Sequence, residues 1–275
     1  MAEDPWQLTG SGPENYERYQ VPSVFGPLAR LLLQHVPPHP GQRMLDVACG
    51  TGIVARLAAP MLGLEGSVLG VDLNAGMLDV ARRESLSGGA LLEWKQADVV
   101  ALPCQDAEFD MVLCQQGLQF FPDKGTALRE MRRVLRQGGR IALCVWCDIE
   151  HSPCHVAIAQ ALRRHAGSEV ARRFEAPFAF GDGDALHRAL VAAGFQDAEV
   201  RVEVLERHLL PPEESIPGLL ASTPVGPEVA ALSGAVRHAI VEEVAAALAS
   251  YRHEGGFTVP QSTHVALATR WPGRT

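Results

Sequence analysis

The stretch Arg43-Met44-Leu45-Asp46-Val47-Ala48-Cys49-Gly50-Thr51-Gly52, continued by Ile53-Val54-Ala55-Arg56-Leu57-Ala58-Ala59, decides how this chain folds. A short apolar run that ends in two glycines and gives way to apolar residues at helical spacing predicts a buried strand, a tight turn and a helix. Gly50 and Gly52 suit that turn because it demands backbone angles that other residues resist, and because a ligand must come close to bare backbone there. The unit reads as a nucleotide-type binding turn.

Gly50-Thr51-Gly52-Ile53-Val54-Ala55 scans as G-x-G-x-x-[GA], the dinucleotide fingerprint, so an NAD(P)-dependent oxidoreductase is one reading. Asp46 weighs against it, because a carboxylate inside the strand would meet a diphosphate as a like charge in a low dielectric. A ligand carrying an ammonium group is favoured instead. S-adenosylmethionine carries one, and its ribose hydroxyls suit a carboxylate at the end of the next strand. Ser67–Asp72 reads as that strand, and Asp72 ends it. On these residues the chain resembles the class I S-adenosylmethionine-dependent methyltransferases, whose first motif runs roughly D-x-G-x-G-x-G. Here it reads Asp46-Val47-Ala48-Cys49-Gly50-Thr51-Gly52, with Ala48 in place of the first glycine.

The resemblance is nearest to the ubiquinone/menaquinone-biosynthesis and secondary-metabolite methyltransferases. It implies an α/β, Rossmann-like, seven-stranded and mostly parallel sheet with an antiparallel last strand, helices on both faces, N-terminal helices and a helical cap. Further residues carry it. Leu91–Gln96 alternates as a third strand, Phe109-Asp110-Met111-Val112 is similar to the family's F-D-x-V fourth strand, and 141–146 follows an Arg136-Gln137-Gly138-Gly139 turn as the fifth. A helix over 185–194 ends in Gly194-Phe195, 198–205 reads as strand six, and 262–269 as the antiparallel seventh. The implied organisation is an N-terminal lid over 1–42, a binding core over 43–147, a cap segment over 148–180, core again over 181–210, a helical cap insertion over 211–259 and a last strand over 260–275. Within the insertion, 228–251 shows a helical pattern.

The same resemblance nominates cofactor-side residues: Asp46, Ala48, Gly50, Thr51 and Gly52 in the first motif, Asp72, Leu73 and Met77 after strand two, Ala97, Asp98 and Val99 after strand three, and Gln115 after strand four. From the lid it nominates Tyr19 first and Tyr16 second. Packing of the lid is the alternative for both tyrosines, capping of a helix for Asp98, and ordinary core for Met77. Gln119 and Phe120 are the substrate-side candidates, because the crevice at the carboxyl ends of such strands is where open α/β sheets hold ligands.

Methyl transfer from a sulfonium is an in-line displacement, so the protein must chiefly position the acceptor, and a base is optional. His151 and His155, directly after strand five, are the candidate bases, since histidine titrates near neutral pH. A Tyr-x-x-x-Lys pair, expected of one class of oxidoreductase, is absent: neither Lys95 nor Lys124 has a tyrosine four residues earlier. A protein that keeps the fold to bind the cofactor without turnover is the third reading.

Composition narrows the partners. With 275 residues and 47% hydrophobic content the chain can bury one large core with a modest cap. The net charge of -8 argues against a nucleic-acid partner. No apolar run reaches the ~18 to 20 residues of a membrane span, and Met1-Ala2-Glu3-Asp4-Pro5 lacks the pattern of a secretory leader, so a cytoplasmic protein is expected. Abundant arginine, alanine and glycine hint at a GC-rich bacterial source. Cys144-Val145-Trp146-Cys147 spells C-x-x-C, but residues three apart on a strand face opposite sides, so a buried structural role is expected and no metal. The absence of a D/N-P-P-[YFW] sequence after strand four, together with the acidic charge and apolar cap, favours a small organic acceptor. A homodimer is left open.

Overall fold

The computed structural model describes residues 7–85 and 88–271; the Met1–Pro5 stretch read for a leader lies outside them. In chain order the elements are α1 (Gly12–Asn15), a wide-wound segment (Tyr16–Phe25), α2 (Gly26–His35), β1 (Arg43–Val47), α3 (Ile53–Leu62), β2 (Ser67–Asp72), α4 (Ala75–Glu84), β3 (Leu91–Gln96), β4 (Phe109–Gln115), α5 (Lys124–Val134) and β5 (Leu135–Trp146). Then come α6 (Pro153–His165), α7 (Ser168–Glu175), α8 (Gly183–Ala192), β6 (Gln196–Leu209), α9 (Pro212–Ala221), α10 (Gly226–Ala231), α11 (Gly234–Ala247), the two-residue β7 (Arg252–His253) and β8 (Gly256–Arg270).

The strands form one sheet in the order β3-β2-β1-β4-β5-β8-β6, with β7 paired to β8 beside this path. β1 through β5 pair in parallel, while β8 runs antiparallel to both β5 and β6. Alternation along the strands sorts side chains into two layers. Met44, Met111, Leu113, Ala142 and Cys144 face α2 and α3, whereas Leu45, Val47, Val112, Ile141 and Leu143 face α5 and α8. The apolar stripe Leu128, Met131 and Val134 of α5 is fully buried in the second layer. A third core, built from Ile158 and Leu162 of α6, Phe174 of α7, Ile216 and Leu219 of α9, Ile240 and Val244 of α11 and Val259 of β8, belongs to the cap. Its strand residues sit where β6 and β8 run on as a pair beyond the end of β5.

Three expectations need correction. The helical pattern over 228–251 is not one helix: it breaks at Leu232, and α11 starts anew from Ser233, whose hydroxyl accepts the Val236 N–H at 3.3 Å. The lid is not a regular helix pair. Pro22 interrupts it, having no N–H to donate, and the turn widens so that Gly26 N–H reaches back five residues to Val21 O. Strands six and seven are longer than read, β6 spanning Gln196–Leu209 and β8 Gly256–Arg270. Cys144 and Cys147 are both buried. Among the described residues no helix is long and apolar enough to cross a membrane.

Candidate active site

The turn after β1 is wound by three residues with left-handed backbone angles, Ala48 (φ +54°), Gly50 (φ +55°) and Gly52 (φ +82°). Gly52 caps the start of α3, and a Cβ there would lie 2.3 Å from the Trp94 ring, which crosses from β3 over Gly70. Glycine is therefore required at 52 twice over, by conformation and by space. Ala48 adopts its angle with a Cβ present, and that Cβ is what closes the space beside Gly117.

Two carboxylates flank this turn. Asp46, 1% exposed, accepts the Ala55 N–H at 3.2 Å in the first turn of α3. Burial, reinforced by the charge of Asp72, pushes its pKa up to about 8. Asp72 accepts the Gly50 N–H at 2.8 Å through one oxygen and the Asn74 N–H at 2.8 Å through the other, and burial raises its pKa as well. Neither carboxylate has an ion-pair partner among the described residues, so burial favours their protonated forms, and a cationic group brought beside them would draw them into the charged form. The Thr51 hydroxyl is buried there without a hydrogen-bond partner. A ligand with an ammonium group and a pair of hydroxyls satisfies this donor set; S-adenosylmethionine fits it, and a pyrophosphate does not.

The lid is tied down over the turn by Glu17 to Arg56 at 2.7 Å, Glu14 to Arg83 at 2.7 Å and Gln115 Nε2 to Phe25 O at 3.1 Å. These contacts place Tyr16, and not Tyr19, at the glycines: a Cβ on Gly50 would lie 3.9 Å from the Tyr16 hydroxyl. Tyr19 points the other way, its ring flat against Gly218 of α9 with Arg18 above it. The order of the two tyrosines is thus the reverse of the one expected. The wide winding over Tyr16–Phe25 turns residues three apart away from each other, which regular helical spacing does not foretell.

Leu73 lies at the end of β2, 45% exposed, and Met77 is buried in the first turn of α4. Asp98 caps the short turn Val99–Ala101, accepting the Val100 N–H at 3.1 Å, and stands exposed beside partly buried Ala97. Gln119 donates to Gln116 Oε1 at 2.8 Å, and Phe120 follows it in the same short turn. Gln116 went unnoticed between these candidates. It is buried, holds a left-handed φ of +56°, and donates to Thr263 Oγ1 at 3.0 Å, which fastens the loop after β4 to β8. The adjacent Gly117 was its only signal in the sequence.

The two histidines separate. His151 is exposed on a surface turn. His155 lies in the first turn of α6 with Nδ1 buried, Nε2 3.5 Å from Arg207, and its pKa held well below the usual histidine range by burial and by that guanidinium. Its environment keeps the imidazole neutral and lowers its affinity for a proton. Arg207 was missed. It sits on β6 between Leu205 and Leu209 on the same face, but that row continues through Glu203, Arg201 and Glu199, so its burial had no clear signal in the sequence.

Comparison with known proteins agrees with this geometry. Residues 45–143 match the family model described as a methyltransferase domain. The ubiquinone/menaquinone biosynthesis C-methyltransferase of Xylella fastidiosa (strain M12) is 48% identical over 102 residues, which is 36% of this chain and 40% of that one. The 2-phytyl-1,4-naphtoquinone methyltransferase of Synechococcus elongatus is 36% identical over 116 residues, 42% of this chain and 50% of that one. The matches thus span half or less of these relatives' length. Among solved structures, Haemonchus contortus phosphoethanolamine N-methyltransferase 2 in complex with S-adenosyl-L-methionine superposes with a TM-score of 0.61 at 20% identity, over 96% of this chain and 58% of that one. A methyltransferase-class protein of Bacillus halodurans superposes at 0.57 and 20% identity, over 89% of this chain and 99% of that one. Residues 45–143, which hold β1 through most of β5, thus carry the similarity to a methyltransferase domain, and the solved structures share the fold of the whole sheet.

Proposed function

We propose that this chain is a methyltransferase that moves a methyl group from S-adenosylmethionine to a small organic acceptor. The observation that carries the reading is the Asp46 and Asp72 pair, without a cationic partner, at a glycine turn whose backbone is open to a ligand. The cofactor supplies an activated methyl on a sulfonium, so the protein's share is binding and alignment. Asp72 would hold the ribose hydroxyls, and Asp46 would balance the ammonium end through the turn. Tyr16 would close that end, with Gln115 fixing the lid. Leu73, Met77 and Asp98 with its neighbours Ala97 and Val99 would border the adenine.

An acceptor approaching from the cap side would meet Gln119 and Phe120, and the cap core closes that side from water. The relatives named for quinone chemistry support a small cyclic acceptor. The acceptor atom is not assigned. The test is calorimetric titration with S-adenosylhomocysteine and, in parallel, NAD. Binding of S-adenosylhomocysteine in the micromolar range without NAD binding is expected; NAD binding alone would replace the reading with an oxidoreductase.

A further inference from the structure

Among the described residues Arg207 is the largest fully buried side chain, 1% exposed, and it has no carboxylate partner there. Its guanidinium meets only neutral groups: it donates to Gln20 Oε1 at 2.7 Å, lies 3.4 Å from Ser23 Oγ and 3.5 Å from His155 Nε2, and its Nε has no partner. The acids on the same strand turn elsewhere, Glu203 to His35 at 2.9 Å and Glu206 to solvent. A buried cation without an anion is costly, because desolvation is not offset by charge pairing. Proteins keep such a group where a ligand completes it.

The surroundings point the same way. Gln261, fully buried on β8 and cross-strand from Leu205, donates to Ser152 Oγ at 2.7 Å. His155 and Gln261 face each other, their contact helping to hold the imidazole in place, while Arg207 Nε is buried with no hydrogen-bond partner among the described residues. The N-terminus of the thirteen-residue α6 enters beside them with no side-chain cap, since Ser152 Oγ is engaged by Gln261. Its first-turn amides add positive potential to that of the guanidinium.

The cluster also lies in line with the cofactor end. From Tyr16 above Gly50, a row of rings runs through Phe25 (4.8 Å between centroids), Trp146 (6.1 Å) and Phe178 (6.2 Å) to His155 (4.8 Å). This row of packed rings links the turn after β1 at one end to a lone buried cation at the other.

We propose that Arg207, with His155 and Gln261, is the acceptor-recognition subsite, and that the methyl acceptor is a flat molecule bearing one carboxylate. This deepens the methyltransferase reading and rests on it. One buried cation balances one negative charge, so a carboxylate fits better than a doubly charged phosphate. The Nε and Nη2 edge of a guanidinium accepts a carboxylate through two parallel bonds. Here Gln20 from the lid occupies the Nη2 half, so the acceptor displaces Gln20 as it binds. Neutral His155 would offer its ring N–H to a remaining carboxylate oxygen without adding charge, while Gln261, whose Nε2 is committed to Ser152 and whose Oε1 only accepts, serves to orient that ring.

The full chain, saturated with S-adenosylhomocysteine, is titrated at fixed ionic strength with benzoate, benzamide and inorganic phosphate. Benzoate should bind at least about tenfold more tightly than benzamide or phosphate, and Arg207→Gln should abolish the preference while S-adenosylhomocysteine affinity stays within about twofold. Gln20→Ala should strengthen benzoate binding severalfold, because it removes a competitor from the guanidinium; this variant decides the matter if Arg207→Gln does not fold. Equal binding of benzoate and benzamide, a preference that survives Arg207→Gln, or weakened binding in Gln20→Ala would overturn the proposal. Tighter binding of phosphate would overturn the carboxylate assignment. Failure of S-adenosylhomocysteine itself to bind would instead overturn the methyltransferase reading.

Discussion

The two ends of the ring row are built differently. At the glycine turn, Asp46, Gly50, Gly52 and Asp72 come from one strand-turn-helix unit and the strand after it, and their carboxylates have no cationic partner until a ligand brings one. At the far end, Gln20, His155, Arg207 and Gln261 come from the lid, α6, β6 and β8, and their charge is positive and uncompensated. The first is local and fixed by backbone conformation. The second exists only once four distant segments have packed. Carboxylates that await a cation at one end and a lone cation at the other orient a ligand set in one direction only, which neither end could do alone.

The sharpest way to break this contrast is to load the local end sterically. Gly52→Ala should destabilise the protein by ~2 to 4 kcal/mol, combining a left-handed non-glycine residue with overpacking against Trp94, as read from urea unfolding. Gly234→Ala, at a glycine with open space around it, should change stability by less than ~1 kcal/mol in the same assay. Equal effects would mean that the turn is not rigidly specified.

Protons give a second test. Asp46 titrates near 8 in the folded protein and near 3.8 unfolded. A raised folded pKa means that its protonated form is favoured on folding, so its contribution to stability is full below the unfolded value and is lost as pH climbs toward 8. A cationic ligand group would reverse this by drawing off the proton. S-adenosylhomocysteine affinity should therefore rise by up to about tenfold per pH unit between pH 6 and 8 and level off above, and Asp46→Asn should flatten the profile. A flat profile in the unmodified protein would show that no ammonium is held there.

Smaller effects separate the tyrosines. Tyr16→Ala should weaken S-adenosylhomocysteine by roughly fivefold, about 1 kcal/mol of ring packing over the turn, whereas Tyr19→Ala should leave that affinity alone and lower the melting temperature by loosening the lid from α9. Smallest of all, Ala48→Gly should fall within ~0.5 kcal/mol of the parent, because relief of the left-handed angle offsets the added freedom of the unfolded chain.

What could be read beforehand follows the same divide. The order of strands and helices, and the placement of Asp46, Gly50, Gly52 and Asp72 together at one end, were legible because each rests on spacing within about thirty residues, where periodicity and turn chemistry act. Which of Tyr16 and Tyr19 faces the glycines was not, since the wide winding over Tyr16–Phe25 turns residues three apart away from each other. Nor was the break at Ser233, where a local hydroxyl cap outweighed a continuous apolar pattern. Arg207 carried no trace, because its row on β6 also holds Glu203, Arg201 and Glu199, and its partners lie 187 and 52 residues away with no spacing rule to join them.

The most direct test of the account pairs two variants against one ligand. Calorimetric titration of S-adenosylhomocysteine into Asp72→Asn should show affinity reduced by ~1 to 3 kcal/mol, the scale for leaving buried polar groups mismatched, while Arg207→Gln binds it as the parent does. Undiminished binding in Asp72→Asn would contradict the assignment of the glycine turn as the cofactor site.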